Sequence, residues 1–217
     1  MKLLLTSGGI TNPSIRARLV ELLGKPIEEA DALAIPTGTY GHRSCTPQTT
    51  YNFVTDAHDM MCGQGWKSVG ILELTALPTI GRERWEPWVR ATDVLLVDGG
   101  DATYLAHWIR ASGLFEVLPD LDDTVWAGLS AGSMCLTPRI GEDFMAWDAA
   151  PDDRTLGLVD FSIFPHLGMT DDHTVDYART WAEKLGNPAY VMDDQSAIVV
   201  VDGQVDVVSE GEWHHLP

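Results

Sequence analysis

The 217-residue chain is poor in three things, and each shortage removes a class of function. Basic side chains are few: 14 Lys and Arg stand against 32 Asp and Glu, a formal net charge of −18. With no basic stripe to neutralise phosphates, neither nucleic acid nor an anionic membrane surface is an expected partner. Cysteine is scarce and odd in number (Cys45, Cys62 and Cys135), with no C-x-x-C spacing. A disulfide framework and a structural zinc site are therefore not expected, and a reducing cytoplasm fits this usage. Long hydrophobic runs are missing as well, since nothing approaches the length of a membrane span. The opening Met1-Lys2-Leu3-Leu4-Leu5-Thr6 breaks at Ser7-Gly8-Gly9 and reads as a first strand rather than a targeting signal.

What is present is globular in composition, 45% hydrophobic and 21% charged, and residues 1–217 are enough for one domain with a real core. Strand-like and helix-like runs alternate. Strands are expected at Leu3–Thr6, Ala32–Pro36, Ser68–Leu74, Val94–Val97 and Leu158–Phe164. Helices are expected over Ser14–Leu23, from about Gln48 to Met61, from an N-cap at Asp101 to about Arg110, and over Asp172–Leu185, where Val175, Ala178, Trp181 and Leu185 form an apolar stripe. Asp202-Gly203 between Ala197–Val201 and Val205–Ser209 signals a hairpin. Such alternation with short connections implies an α/β fold with a mainly parallel sheet and helices on both faces. Ligands bind beyond the carboxyl ends of such strands. Gly99-Gly100-Asp101, Ser130 and His166 all sit at strand ends.

The most informative stretch is Val125-Trp126-Ala127-Gly128-Leu129-Ser130-Ala131-Gly132. It reads as strand, sharp turn and helix, with a serine at the apex and small residues where strand and helix must come close. This elbow lifts the Ser130 hydroxyl clear of the sheet and aims the Ala131 N–H at the place where an oxyanion would form. Gly99 or Gly100 could supply a second donor. A serine needs a base, and the base needs a carboxylate. His166 follows a strand directly and is stiffened by Pro165, whereas His42, His58 and His107 read as surface or packing residues, His173 lies near a helix start, and His214 and His215 lie near the chain terminus. Between Ser130 and His166 the candidate carboxylates are Glu142, Asp143, Asp148, Asp152, Asp153 and Asp160, and spacing does not choose among them.

Taken together, Leu5-Thr6-Ser7-Gly8-Gly9, Ile35-Pro36-Thr37, Val97-Asp98-Gly99-Gly100-Asp101-Ala102-Thr103, Gly128-Leu129-Ser130-Ala131-Gly132-Ser133 and Phe164-Pro165-His166 resemble peptidase family S51, the peptidase E (aspartyl dipeptidase) group. The resemblance spans nearly the whole chain. It implies a class I glutamine amidotransferase-like fold, a flavodoxin-like three-layer sandwich, and a serine peptidase acting on short peptides without metal or cofactor. Monomer or homodimer is the assembly expected. Matched by position, Ser130 is the nucleophile, His166 the general base and Asp143 the third member, with Glu142 as its substitute. Gly100 and Ala131 match the oxyanion donors, and Gly99, Asp101 and Arg179 are the candidate substrate contacts. In characterised peptidase E enzymes an arginine beyond the catalytic histidine pairs with the substrate's N-terminal aspartate. Leu167-Gly168-Met169-Thr170-Asp171-Asp172-His173 departs from that segment, which leaves aspartyl specificity open.

Two other readings compete. An α/β-hydrolase-type esterase would use the same elbow with Asp193 or Asp194 and then His214, although few residues follow Ser130 and no His-Gly-Gly-Gly-type loop precedes it. A non-catalytic binding protein could keep the same scaffold.

Overall fold

A computed structural model describes residues 1–55 and 60–217. The elements are β1 (Lys2–Thr6), α1 (Pro13–Leu23), β2 (Asp31–Ile35), α2 (Pro47–Thr55), β3 (Ser68–Ile71), α3 (Leu77–Ile80), α4 (Arg82–Arg90), β4 (Val94–Val97) and α5 (Ala102–Ala111). There follow β5 (Val125–Leu129), α6 (Ala131–Met134), β6 (Ser162–Phe164), α7 (Val175–Leu185), β7 (Ala189–Met192), β8 (Ser196–Val201), β9 (Gln204–Ser209) and β10 (Trp213–Leu216). The larger sheet runs β3-β2-β4-β5-β1-β8-β9, parallel from β3 through β1 and antiparallel at β8 and β9. A second sheet, β10-β7-β6, joins β6 and β7 in parallel and β10 and β7 antiparallel.

Side-chain alternation builds the layers. Leu5, Leu95, Val97 and Trp126 pack with Leu105 and Ile109 of α5 on one face of the large sheet. Leu4, Leu96, Val125 and Ala127 pack with Ile15, Leu19 and Leu22 of α1 on the other. Strands buried on both faces are continuous apolar runs, as their sequences are. The result is the expected α/β sandwich with helices on both sides.

Local chemistry sets the boundaries. Asn12 caps α1 by accepting the Ile15 N–H, with Pro13 at the first helical position. Asp101 caps α5 as expected, accepting the Tyr104 N–H at 2.7 Å. Helix α7 starts at Val175 rather than Asp172, because Thr174 is its cap. At the β8–β9 turn Asp202 and Gly203 have φ of 51° and 77°, the positive pair that a two-residue hairpin requires.

Some expectations need correcting. The run Leu158–Phe164 is strand only at Ser162–Phe164, since the N–H groups of Leu158 and Val159 both donate to the Leu136 carbonyl instead of a ladder. Strand β3 stops before Leu74, which opens a 3₁₀ turn held by the Thr37 hydroxyl. Of the helix expected from Gln48 to Met61, Pro47–Thr55 is seen, and residues 56–59, which include His58, lie outside the described residues. Helices α3 and α4 and the strands β7 and β10 have no counterpart among the elements expected from the sequence. Among the described residues, no helix is long and apolar enough to cross a membrane.

Candidate active site

The two sheets meet at their strand ends. The carboxyl ends of β1, β4 and β5 bring Ser7, Asp98-Gly99-Gly100 and Ser130 to one rim of the large sheet. The ends of β6 and β7 bring His166 and Asp194 to the same place from the small one.

At the elbow Ser130 has φ 50° and ψ −111°, a conformation that costs a non-glycine residue energy and persists only where its surroundings impose it. They do so here. The Ser130 N–H donates to the carbonyls of Thr6 and Ser7, each at 3.1 Å. The Ser133 hydroxyl donates to the carbonyls of Thr6 and Gly128, and the buried Trp126 indole donates to the Gly132 carbonyl at 2.8 Å. A Cβ at Gly128 would collide with Gly132, and one at Gly132 would collide with the Val97 carbonyl. The glycines flanking the apex are therefore demanded by the close approach of strand and helix.

The Ser130 Oγ lies 2.8 Å from His166 Nε2, and His166 Nδ1 lies 2.7 Å from an oxygen of Asp194. With the proton of the neutral imidazole on Nδ1, donating to the carboxylate, Nε2 is the acceptor for the serine hydroxyl. His166 itself has φ 59°, and its backbone N–H donates to the Ser7 hydroxyl at 2.7 Å. That hydroxyl in turn donates to the same Asp194 oxygen at 2.7 Å. Burial alone would raise the Asp194 carboxyl, but the hydrogen bond and charge of His166 together with the Ser7 hydroxyl outweigh it and hold it below the usual carboxylate range.

The carboxylate on His166 is thus Asp194, and the expectation of Asp143 is corrected. Asp143 lies exposed at the rim of the cleft, which Tyr177 also lines, and Glu142 is exposed beside it. Asp194 lies beyond His166 in the chain, after β7, and the sequence offers it only as a partner of His214 in the esterase reading. The signal was there: Met192-Asp193-Asp194 ends an apolar run just as Pro165-His166 does.

The remaining candidates divide. Ala131 begins α6 and Gly100 sits in a turn at φ 115°, where a Cβ would collide with the Gly38 backbone. The N–H groups of Gly100 and Ala131 have no protein acceptor among the described residues, as oxyanion donors require. The Gly99 N–H is taken by Asp98 at 2.7 Å, although Gly99 does line the cleft. Asp101 is fully buried and spent on structure: one oxygen caps α5 and the other accepts the N–H groups of Ala146 and Trp147 at 2.6 and 2.9 Å. It is not placed as a substrate contact. Neither is Arg179, which is exposed on α7 in a groove with Glu183 and Asn187, away from Ser130. His214 of β10 pairs with Glu212 at 2.8 Å and does not reach the serine. Around Ser130 opens a cleft of about 590 Å³, lined among others by Thr39, Asp98, Met134, Phe144, His173 and Tyr177.

A model described as peptidase family S51 matches residues 3–208. No curated protein sequence matches the chain. Among solved structures, a protein of Listeria monocytogenes EGD-e named for peptidase E is similar at a TM-score of 0.70 and 18% identity, covering 97% of this chain and 98% of that one. A peptidase from an acI-B1 actinobacterium is similar at a TM-score of 0.69 and 19% identity, covering 98% of this chain and 89% of that one. At those identities the two structures establish the fold, and the family match carries the chemistry. The chain belongs to peptidase family S51 and is a serine peptidase.

Proposed function

We propose that the chain hydrolyses short peptides through a Ser130–His166–Asp194 triad, the nucleophile coming from one sheet and the base and acid from the other. The observation that carries this reading is the hydrogen-bonded chain of 2.8 and 2.7 Å through the two ring nitrogens of His166. Ser130 Oγ attacks the scissile carbonyl carbon as His166 Nε2 takes its proton, and the N–H groups of Gly100 and Ala131 hold the oxyanion. The imidazolium is stabilised by Asp194 and gives its proton to the leaving amine as the C–N bond breaks. A water, deprotonated by the same nitrogen, then attacks the acyl-enzyme, and the acid leaves as Ser130 regains its proton. The cleft's size suits a peptide of a few residues. A reducing cytoplasm belongs to the same reading, supported by the odd, unspaced cysteines.

An esterase built on His214 has no support from the geometry. The experiment that separates the readings is turnover of a dipeptide panel by Ser130→Ala, His166→Ala and His214→Ala. Loss in the first two with His214→Ala active is expected. Retained hydrolysis in Ser130→Ala, or dependence on His214, contradicts the proposal.

A further inference from the structure

Among the described residues, the cleft beside Ser130 is lined by carboxylates and by no fixed cation. Asp98, Asp143 and Asp172 contribute to its described lining, whereas Lys and Arg do not. Its three imidazoles are each engaged. His166 is bound to Ser130 and Asp194, His173 Nδ1 donates to the His166 carbonyl at 3.1 Å, and His42 Nδ1 accepts the Ser44 N–H at 3.2 Å.

Asp98 differs from the other two carboxylates in being buried. It sits at the end of β4, only 8% exposed, and what remains open faces the cleft. One oxygen accepts the Gly99 N–H at 2.7 Å and the other the Thr39 hydroxyl at 2.6 Å. Both donors are neutral, and no cationic side chain among the described residues pairs with it. A buried carboxylate is costly without a counter-charge, and burial pushes this one up to about 6 against the pull of its two donors. Each oxygen keeps a lone pair for a further donor. Asp98 is also next to Gly99-Gly100, hence beside the place where the scissile carbonyl would lie.

We propose that Asp98 is the counter-charge for a cationic group of the substrate, so that the cleft takes peptides carrying an ammonium or guanidinium next to the scissile carbonyl and disfavours an acidic first residue. This rests on the hydrolytic reading of Ser130. The cation has two possible sources, the α-ammonium of a free N-terminus or the side chain of a first-position Lys or Arg. The net charge of −18 works in the same direction at long range, concentrating cations and repelling anions.

Calorimetric binding to the folded Ser130→Ala variant tests this without turnover. N-acetyl-lysine methylamide against N-acetyl-norleucine methylamide isolates the side-chain cation. Alanine methylamide with a free or an acetylated amine isolates the α-ammonium. In at least one pair the charged ligand should bind roughly ten- to a hundredfold more tightly, the range of a charged hydrogen bond. Asp98→Asn, which keeps an acceptor for the Gly99 N–H, should erase that ratio. The pair that shows the preference identifies the source. Equal binding within both pairs, tighter binding of N-acetyl-aspartate methylamide, or a ratio that survives Asp98→Asn overturns the proposal. Wild-type turnover of Lys-Ala and Ala-Ala separates the two readings. Binding ratios without any turnover would sink the peptidase mechanism and leave the cation site standing, and turnover without ratios would do the reverse.

Discussion

Ser7 touches every member of the proposed triad. Fully buried, it accepts the His166 N–H, donates to Asp194, and offers its carbonyl to the Ser130 N–H. Ser7→Ala would leave the His166 N–H unpaired and remove one of two hydrogen bonds to the same Asp194 oxygen, at a cost of about 1–3 kcal/mol. Steady-state kinetics of this variant should show kcat reduced roughly tenfold or more with KM little moved, because the residue holds the machinery and not the substrate. Asp98 makes a separate prediction for stability. Its folded value of about 6 exceeds the ordinary 3.8, so the folded state keeps a proton that the unfolded chain releases between them. Stability should therefore fall as pH rises through that window, by about 3 kcal/mol at most, and Asp98→Asn should flatten the profile in urea titrations. Asp194 acts with the opposite sign. Its carboxyl is held below 3.8, so its contribution is present above that value and is lost as pH falls through the lower folded value.

At the scale of elements, the elbow depends on contact between backbones. Gly132→Ala puts a methyl into the Val97 carbonyl, and overpacking of this kind costs roughly 1–3 kcal/mol. A drop in Tm of about 2–4 °C per kcal/mol, together with slower phosphonylation of Ser130, is the outcome expected from thermal unfolding and a serine-directed probe. The same contacts explain why the elbow could be read in the sequence: small residues at Gly128, Ala131 and Gly132 have one local cause. The Asp101 cap and the Asp202-Gly203 turn were legible for the same reason, since caps and two-residue turns are decided by neighbours in the chain. The small sheet was legible only in part, since β6 falls within the strand expected at Leu158–Phe164 whereas β7 and β10 have no counterpart there. Strands β6, β7 and β10 have three or four residues each, too few to show a period, and what makes them strands is one another. Asp101 also shows where the resemblance misleads although the local rule holds. It is a candidate substrate contact by resemblance, but the cap of α5 and the Ala146–Trp147 loop take both of its oxygens.

For the whole molecule, chemistry depends on how two sheets are set against each other, and chain order says nothing about that. Asp143 lies nearer than Asp194 to both Ser130 and His166 in number along the chain, yet β7 runs parallel to β6 and its end delivers Asp194 to the imidazole. The charge of −18 is likewise a property of the whole. If it steers substrate, kcat/KM for a Lys-first peptide should fall as salt rises from about 10 to 300 mM, while a neutral peptide changes little, because the Debye length shrinks across that range. The most direct measurement compares kcat/KM for Asp194→Asn and Asp143→Asn on one peptide that the wild type cleaves. Asp194→Asn should lose about a thousand- to ten-thousandfold, the scale seen when a triad histidine loses its carboxylate, and Asp143→Asn less than about tenfold. A larger loss in Asp143→Asn than in Asp194→Asn would contradict the account.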